Sequence, residues 1–218
     1  MNLLLVSATA REIGPFLNHY RNEKLPKLKH NIDVLISGIG LTATVYSLTK
    51  QINIKRPDFI LQTGVAGCFE KKIRLGSVRI VKQDTIADQS VMELKKLKSL
   101  FALKLVPQNQ YPFRKGWLMN PYPVSLKQTG LKAVKGISVN QITTDKQIIR
   151  FYKKKFRPVL ESMEGAALHY VCLMEKIPFL QIRSISNYIG ERNKKKWDMK
   201  DSIVKLNKEL IRIITSLK

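Results

Sequence analysis

Apolar runs with strand character alternate with helical patterns along most of this 218-residue chain. The predicted strands cover residues 3–7, 33–37, 58–63, 77–86 and 135–139, with a last core strand around Ile182. The predicted helices cover residues 11–20, 42–52, 147–156, 163–175 and 202–217. This alternation is typical of a three-layer αβα sandwich around a central, largely parallel mixed sheet. Because no internal repeat or low-complexity linker interrupts the pattern, we expect a single domain over residues 1–218, with an irregular stretch at 88–126.

The composition favours a cytoplasmic α/β protein that needs neither a metal nor a membrane. A hydrophobic content of 44% in 218 residues allows a substantial core. Apolar runs stay below the roughly 18 residues that a membrane span requires, and the apolar start of the chain is typical of a buried first strand. Cys68 and Cys172 lie in apolar segments without metal-ligand spacing, so we expect structural thiols.

The net charge of +23 allows two interpretations. A strongly basic chain can bind a polyanion such as nucleic acid. Lysine nevertheless dominates, its clusters fall where solvated helix ends and loops are expected, and no basic-aromatic nucleic-acid module is visible. We therefore expect a lysine-rich surface and no nucleic-acid partner. A positive field would still concentrate an anionic small substrate near the protein.

The segment 161–192 carries the strongest functional signal. A short turn at 162–165 (SMEG) leads into a helical run, Pro178 precedes an apolar strand, and the strand ends in the polar residues 183–187 (RSISN). In open α/β sheets, ligands bind at the carboxyl ends of strands. These two motifs resemble those of the nucleoside phosphorylase and nucleosidase superfamily, in which the turn binds the ribose and the strand end binds the purine.

The resemblance assigns roles to two carboxylates. Glu12 follows the first strand, where nucleosidases carry the glutamate that activates water; a helix's first turn also favours an acidic residue for its dipole alone. Glu164 matches the carboxylate that accepts hydrogen bonds from ribose hydroxyls, and Met163 matches the residue that packs against the sugar. A carboxylate near the anomeric carbon also stabilises a developing oxocarbenium ion.

Asn187 is expected to determine the base. Adenine-specific relatives have an aspartate here. An asparagine NH₂ can donate to a purine O6, and its carbonyl can accept from a protonated N7–H, so this residue suits hypoxanthine. Together with Trp197 further on, the asparagine resembles the futalosine hydrolases of the menaquinone pathway within the superfamily. The alternative for Asn187 is a strand-end residue that caps a turn.

Further residues are expected around the substrate. Glycines at a strand end let the backbone approach a ligand, and Val65, Ala66 and Gly67 match the family element that lines the pocket. Val65 replaces a hydroxyl residue that helps phosphorylases to hold phosphate, which favours water as the nucleophile. Arg183 could orient Glu164, line the site or form a structural ion pair. Further residues that could wrap the base are Thr143 and Thr144.

The sequence thus predicts hydrolysis of the N-glycosidic bond of futalosine to hypoxanthine and dehypoxanthine futalosine, without a metal or organic cofactor. The alternatives are a methylthioadenosine/adenosylhomocysteine nucleosidase and a phosphate-dependent purine nucleoside phosphorylase. The resemblance also implies a homo-oligomer, with a dimer favoured. Because futalosine carries an aromatic carboxylate beyond its 5′ carbon, aromatic and basic residues of the stretch 88–126, among them Arg114 and Lys115, are expected near the 5′ side of the pocket.

Overall fold

The computed structural model describes residues 1–21, 30–93 and 96–217. Its strands are β1 (Asn2–Ser7), β2 (Asn31–Ile36), β3 (Phe59–Cys68), β4 (Val78–Asp84), β5 (Ser90–Glu93), β6 (Lys96–Ser99), β7 (Leu118–Met119), β8 (Ala133–Ser138), β9 (Leu160–Ser162) and β10 (Phe179–Tyr188). Its α-helices are α1 (Ala10–Arg21), α2 (Leu41–Ile54), α3 (Pro123–Gln128), α4 (Lys146–Lys155), α5 (Gly165–Met174) and α6 (Met199–Ser216).

The main sheet is mixed and partly closed. Parallel pairs join β1 to β2 and to β3, β3 to β10, β4 to β8, and β8 to β9. Antiparallel pairs join β10 to β4, β3 to β9, and β4 to β7. Strands β3, β10, β4, β8 and β9 therefore close into a ring, from which β1 and β2 extend as an open wing. The largely parallel mixed sheet is confirmed.

The first strand shows why helices cover both faces of the sheet. Successive strand side chains point to opposite faces. Leu3 and Leu5 pack in a core that α1 and α6 complete, whereas Leu4 and Val6 pack in a core with α2 and α5. Both faces of β1 are thus buried, as a strand between two helical layers requires, and the predicted three-layer αβα arrangement is confirmed.

The irregular stretch 88–126 contains short elements that the sequence pattern did not predict. They are the hairpin β5–β6, the two-residue strand β7 and the helix α3. Strand β9 was likewise missed, because three residues are too few to show an alternating pattern. The predicted strand 58–63 continues to Cys68, so its glycines lie inside the strand and not in a following loop.

The cysteines and the histidine of α5 are buried core groups. Cys68 and Cys172 are free thiols, and desolvation by burial raises the pKa of both.

In the described part of the chain, no cluster of three or more His, Cys, Asp or Glu side chains could hold a metal ion. Among the described residues, no helix is long and apolar enough to cross a membrane.

We expect His169 to make the protein less stable in acid. Burial lowers the pKa of His169 from 6.5 to about 3, and its Nδ1 lies 2.9 Å from the Leu118 carbonyl oxygen. Below pH 6.5 the His169 imidazole binds a proton in the unfolded chain, whereas in the folded chain it stays neutral down to about pH 3. The stability that the neutral, buried imidazole contributes is therefore fully present above pH 6.5 and is lost as the pH falls toward 3. The slope reaches about 1.4 kcal/mol per pH unit.

The variant His169→Asn removes this titration and keeps a donor near the position of Nδ1. Urea unfolding at pH 7, 6, 5 and 4 measures the free energy of unfolding of both proteins. As the pH falls, the wild type should lose up to about 1.4 kcal/mol per pH unit more than the variant. Because only the slope is compared, any constant cost of the smaller side chain cancels. A gap that stays constant with pH would contradict the neutral state of His169.

Candidate functional site

A cavity of about 340 Å³ opens at the carboxyl ends of the central strands. Its walls come from the segments that follow β1, from the ends of β3 and β10, from the β9–α5 turn, and from the start of α6. The lining residues are Ala8, Thr9, Arg11, Glu12, Ile39, Val65, Ala66, Gly67, Ile142, Glu161, Ser162, Met163, Glu164, Ser186, Asn187, Ile189, Trp197, Met199 and Ile203. Most of the predicted site residues therefore lie around one cavity, at the edge of the sheet where α/β proteins bind ligands.

Glu12 is held by hydrogen bonds at both carboxylate oxygens. The backbone N–H and the hydroxyl of Thr9 donate to Oε2 at 3.1 and 2.9 Å, and the backbone N–H of Val65 donates to Oε1 at 3.0 Å. The Asn207 amide also donates to the Glu12 backbone carbonyl at 2.8 Å, which ties this first turn of α1 to α6. The side chain is buried but lines the cavity, so its carboxylate is fixed in position beside the ligand space.

Glu164 is the N-cap of α5 and is held by a backbone donor and a buried cation. The Gly40 N–H donates to Oε1 at 3.2 Å, and Arg183 Nη1 donates to Oε2 at 3.2 Å. Gly40 makes this contact at a φ of +95°, in the region that favours glycine. The buried ion pair holds this carboxylate at the cavity wall, where its oxygens can accept hydrogen bonds from ligand hydroxyls.

Arg183 lies beneath the cavity rather than in its wall. The side chain is 1% exposed and donates to Gln181, Gln62 and the Val65 carbonyl as well as to Glu164. The missing side chain of Gly64 leaves the space for this packing, because a Cβ there would stand 2.5 Å from Arg183 Nη1 and 3.0 Å from Glu12 Oε1. The expectation that Arg183 lines the site is therefore corrected to a structural ion pair that supports Glu164.

A buried carboxyl completes the polar network beneath the cavity. Asp84 accepts hydrogen bonds from the Thr85 N–H, the Ser138 hydroxyl and the Gln181 amide. Desolvation raises its pKa from 3.8 to about 6, against the lowering effect of these donors and of the Arg183 charge. Gln181 thus connects Asp84 to Arg183, and the sequence pattern gave no sign of this connection because Asp84 ends a strand that has no recognisable motif.

Asn187 lines the cavity near the carboxyl end of β10. The Ser186 hydroxyl donates to Oδ1 at 2.9 Å, and Nδ2 lies above Gly67, 3.4 Å from where a Cβ of that glycine would stand. A Cβ at Gly67 would also collide with the Ile189 side chain. The missing side chain of Gly67 therefore leaves the space in which Ile189 packs beside the Asn187 amide.

Most of the predicted binding residues reach the cavity, and three do not: Arg183, Thr143 and Thr144. Val65, Ala66, Gly67 and Met163 line it. Thr143 and Thr144 are absent from the wall: the Thr143 N–H donates to Glu161 Oε1 at 3.1 Å, and Thr144 is exposed to solvent. The neighbouring Ile142 takes the place expected for them.

Glu161 and Arg11 are polar lining residues that sequence reasoning missed. Glu161 immediately precedes the 162–165 turn, so its position next to a recognised motif was an available signal. Arg11 adjoins Glu12 and is the cationic side chain in the wall formed by the described residues.

The expectation that Arg114 and Lys115 of the stretch 88–126 lie beside the cavity is wrong for a single chain. Arg114 and Lys115 are exposed, and the walls of the cavity do not include them. The aromatic residues of the stretch pack elsewhere: Phe113 contacts Phe101 and Tyr170 at ring distances of 5.2 and 6.3 Å. Residues 94 and 95 of this stretch lie outside the described residues.

Comparisons with known proteins agree with this architecture. Residues 5–217 match the family described as the phosphorylase superfamily. The 5′-methylthioadenosine/S-adenosylhomocysteine nucleosidase of Buchnera aphidicola is 25% identical over 86% of this chain and 84% of that protein. The structure of futalosine hydrolase from Helicobacter pylori has a TM-score of 0.81 at 21% identity and covers 100% of this chain and 98% of that one.

A second solved structure is similar to the same degree. The 5′-methylthioadenosine/S-adenosylhomocysteine nucleosidase of Helicobacter pylori, with butyl-thio-DADMe-Immucillin-A, has a TM-score of 0.81 at 20% identity and covers 100% of this chain and 99% of that one. At these identities the likeness to solved structures establishes the fold.

Proposed function

Because this chain belongs to the phosphorylase superfamily, we propose that it is a purine nucleosidase whose substrate is futalosine. The reaction hydrolyses the N-glycosidic bond and releases hypoxanthine and dehypoxanthine futalosine. The observation that carries the proposal is the convergence of Glu12, Glu164 and Asn187 on one cavity. Two carboxylates and an amide are the groups that water activation, ribose binding and base recognition require.

The proposed mechanism is dissociative. Glu164, held in place by Arg183, accepts hydrogen bonds from the ribose hydroxyls and stabilises the positive charge that develops on the sugar. The base departs with the electron pair of the cleaved C–N bond while Asn187 holds its O6 and N7 edge, and the departing base takes up a proton from solvent. Glu12 takes a proton from the water that attacks the anomeric carbon, and its three donors hold the carboxylate in position for this step.

Water is favoured over phosphate as the nucleophile. At Val65 the cavity wall is apolar, and the Val65 N–H already donates to Glu12. The carboxylates of Glu12 and Glu164 both line the cavity and repel an anion that approaches between them. These features support a hydrolase over a purine nucleoside phosphorylase.

The far end of futalosine requires a cation, and Arg11 offers one. Its side chain lies in the cavity wall, so it can pair with the substrate's carboxylate. The net charge of +23 favours the approach of such an anion.

Ile39 lines the same cavity with 62% of its surface exposed, which supports a homodimer that covers this apolar residue. We propose that the protein acts in the cytoplasm and needs no cofactor.

A methylthioadenosine/adenosylhomocysteine nucleosidase is the second candidate, because the curated relatives carry that name. A base-release assay separates the candidates. The enzyme is incubated with futalosine, inosine or methylthioadenosine, with and without phosphate, and the released base is identified by chromatography. Hypoxanthine released from futalosine without phosphate supports the proposal. Release of adenine from methylthioadenosine alone supports the second candidate, and a strict need for phosphate supports a phosphorylase.

We expect Asn187→Asp to shift the preference from 6-oxopurines toward 6-aminopurines. The Ser186 hydroxyl can hold the aspartate as it holds the asparagine, but a carboxylate offers no donor to O6. Since a mispaired buried polar group costs about 1–3 kcal/mol, the ratio of kcat/KM for inosine and methylthioadenosine should change by about 10-fold or more. Asn193→Asp, at an exposed position, provides a control with the same chemical change. An unchanged ratio would remove Asn187 from the base edge.

A further inference from the structure

Asp84 is a buried carboxyl beneath the cavity to which the mechanism above gives no part. Its Oδ2 accepts a hydrogen bond from the NH₂ of the Gln181 amide at 3.2 Å. The oxygen of the same amide accepts a hydrogen bond from Arg183 Nε, also at 3.2 Å. Arg183 in turn donates through Nη1 to Glu164 at 3.2 Å. A continuous chain of hydrogen bonds therefore joins Asp84 to the carboxylate that lines the cavity.

The groups at the two ends of Gln181 determine which way its amide points. An ionised carboxylate only accepts hydrogen bonds, and the Nε of an arginine only donates. The NH₂ of Gln181 must therefore face Asp84, and its oxygen must face Arg183. If the side chain at position 84 presented a donor instead, the amide would turn round, and two donors would then face each other at Arg183. The charge of Asp84 thus decides whether the guanidinium keeps this acceptor.

A second connection runs from Asp84 to the backbone next to Glu164. The Ser138 hydroxyl donates to Asp84 Oδ1 at 3.0 Å and accepts a hydrogen bond from the Ala166 N–H at 2.8 Å. Ala166 lies in the first turn of α5, where backbone N–H groups have no acceptor within the helix. Asp84 therefore orients the hydroxyl that satisfies this N–H, two residues after Glu164.

Gly165 lets these polar groups lie directly against the turn that carries Glu164. A Cβ at Gly165 would collide with Asp84 Oδ2 and would stand 2.5 Å from the oxygen and 2.7 Å from the nitrogen of the Gln181 amide. The backbone of the turn thus rests on Asp84 and Gln181 without a side chain between them. Because protein interiors are closely packed, a shift of either group displaces the turn.

We propose that Asp84 is a positioning residue, which holds the Glu164 carboxylate at the cavity wall through Gln181 and Arg183. The inference rests on the proposed function, since it concerns the carboxylate that is proposed to bind the ribose. Asp84 is absent from the described residues that form the wall, so its charge acts on the substrate by fixing Glu164 and not by touching the ligand.

Asp84→Asn tests whether the charge is needed. Desolvation raises the pKa of Asp84 to about 6, so the assays are run at pH 8, where the carboxylate prevails. The substrate is whichever of futalosine, inosine and methylthioadenosine the wild type cleaves fastest. The kcat/KM of Asp84→Asn should fall about 10-fold or more, the usual consequence of one mispaired buried polar group. The matched control is Asp33→Asn, which breaks a surface ion pair with Lys55 at 2.6 Å and should leave kcat/KM unchanged.

A compensating variant tests the connection through Gln181. In Asp84→Asn/Gln181→Glu the negative charge moves by one side chain, and the new carboxylate can accept from the amide at position 84 and from Arg183 Nε. This double variant should recover most of the kcat/KM that Asp84→Asn loses. Gln181→Glu alone sets two carboxylates against each other and should be impaired, so adding Asp84→Asn to it should raise the activity.

A cycle with Glu164→Gln separates positioning from general damage to the fold. If Asp84 acts through Glu164, the loss caused by Asp84→Asn should shrink to less than about 2-fold when Glu164→Gln is already present, because the carboxylate to be positioned is gone. Damage that merely disturbs the fold would lower kcat/KM by the same factor in both backgrounds.

The outcomes separate the inference from the proposed function. Unchanged kcat/KM in Asp84→Asn, an equal loss in both backgrounds, or a double variant no better than either single variant overturns the role of Asp84 alone. If Asp84→Asn does not fold, the comparison of Gln181→Glu with the double variant decides the matter. Cleavage of methylthioadenosine only overturns futalosine as the substrate, and the same variants still decide the role of Asp84. A wild type that releases no base from any of the three nucleosides overturns both.

Discussion

Glu12→Gln is expected to lower kcat by about 10²–10⁴-fold, the usual loss when a general base is removed. Glutamine matches glutamate in size, and its carbonyl oxygen can still accept one of the hydrogen bonds from Thr9 or Val65. It cannot take a proton from water. The loss should therefore appear in kcat, while KM changes little, because the proposed contacts to base and ribose come from other residues.

The measurement compares steady-state hydrolysis of the same nucleoside by the wild type, Glu12→Gln and Glu209→Gln. The last variant makes the same chemical change at Glu209, a partly exposed α6 residue that pairs with Arg212, and should keep full activity. A single-turnover experiment at saturating enzyme then tests whether the chemical step itself is slow. If Glu12→Gln keeps a kcat within a few-fold of the wild type, another group activates the water, and the assignment of Glu12 is wrong.

The wall residues that sequence reasoning identified share one property. Glu12 follows a strand with continuous apolar character, and Glu164 and Asn187 belong to motifs at recognisable breaks between elements. Local sequence predicts such positions, because strand ends and helix starts are determined by nearby residues. The same reasoning predicted the three layers, since alternating strands and helices allow few other arrangements.

What could not be predicted depends on contacts between distant segments. Ring closure rests on β9, whose three residues pair with two strands from different parts of the chain. The burial of Arg183 depends on Gly64, which lies more than a hundred residues away and leaves the space for the guanidinium. These relations follow from the topology of the sheet, which a single sequence does not reveal.

Glu164→Gln is expected to cost both activity and stability. Arg183 and Glu164 are both buried, and their side chains meet at 3.2 Å. Removing one charge leaves the Arg183 guanidinium buried without its counter-ion, and breaking such a pair typically costs about 3–5 kcal/mol. Activity should fall by about 10²–10³-fold, because the negative charge that faces the developing oxocarbenium ion is lost.

A double-variant cycle separates the two effects. Urea unfolding of Glu164→Gln, Arg183→Met and the double variant should show the double variant less destabilised than the sum of the single variants, because neither charge is then left alone. Activity should stay low in all three. The exposed pair of Arg56 and Glu175, at 3.4 Å, gives the control: Glu175→Gln should change stability by at most about 1 kcal/mol. Strict additivity of the two buried substitutions would show that Arg183 supports the fold independently of Glu164, and the position of the Glu164 carboxylate would then depend on the Gly40 N–H.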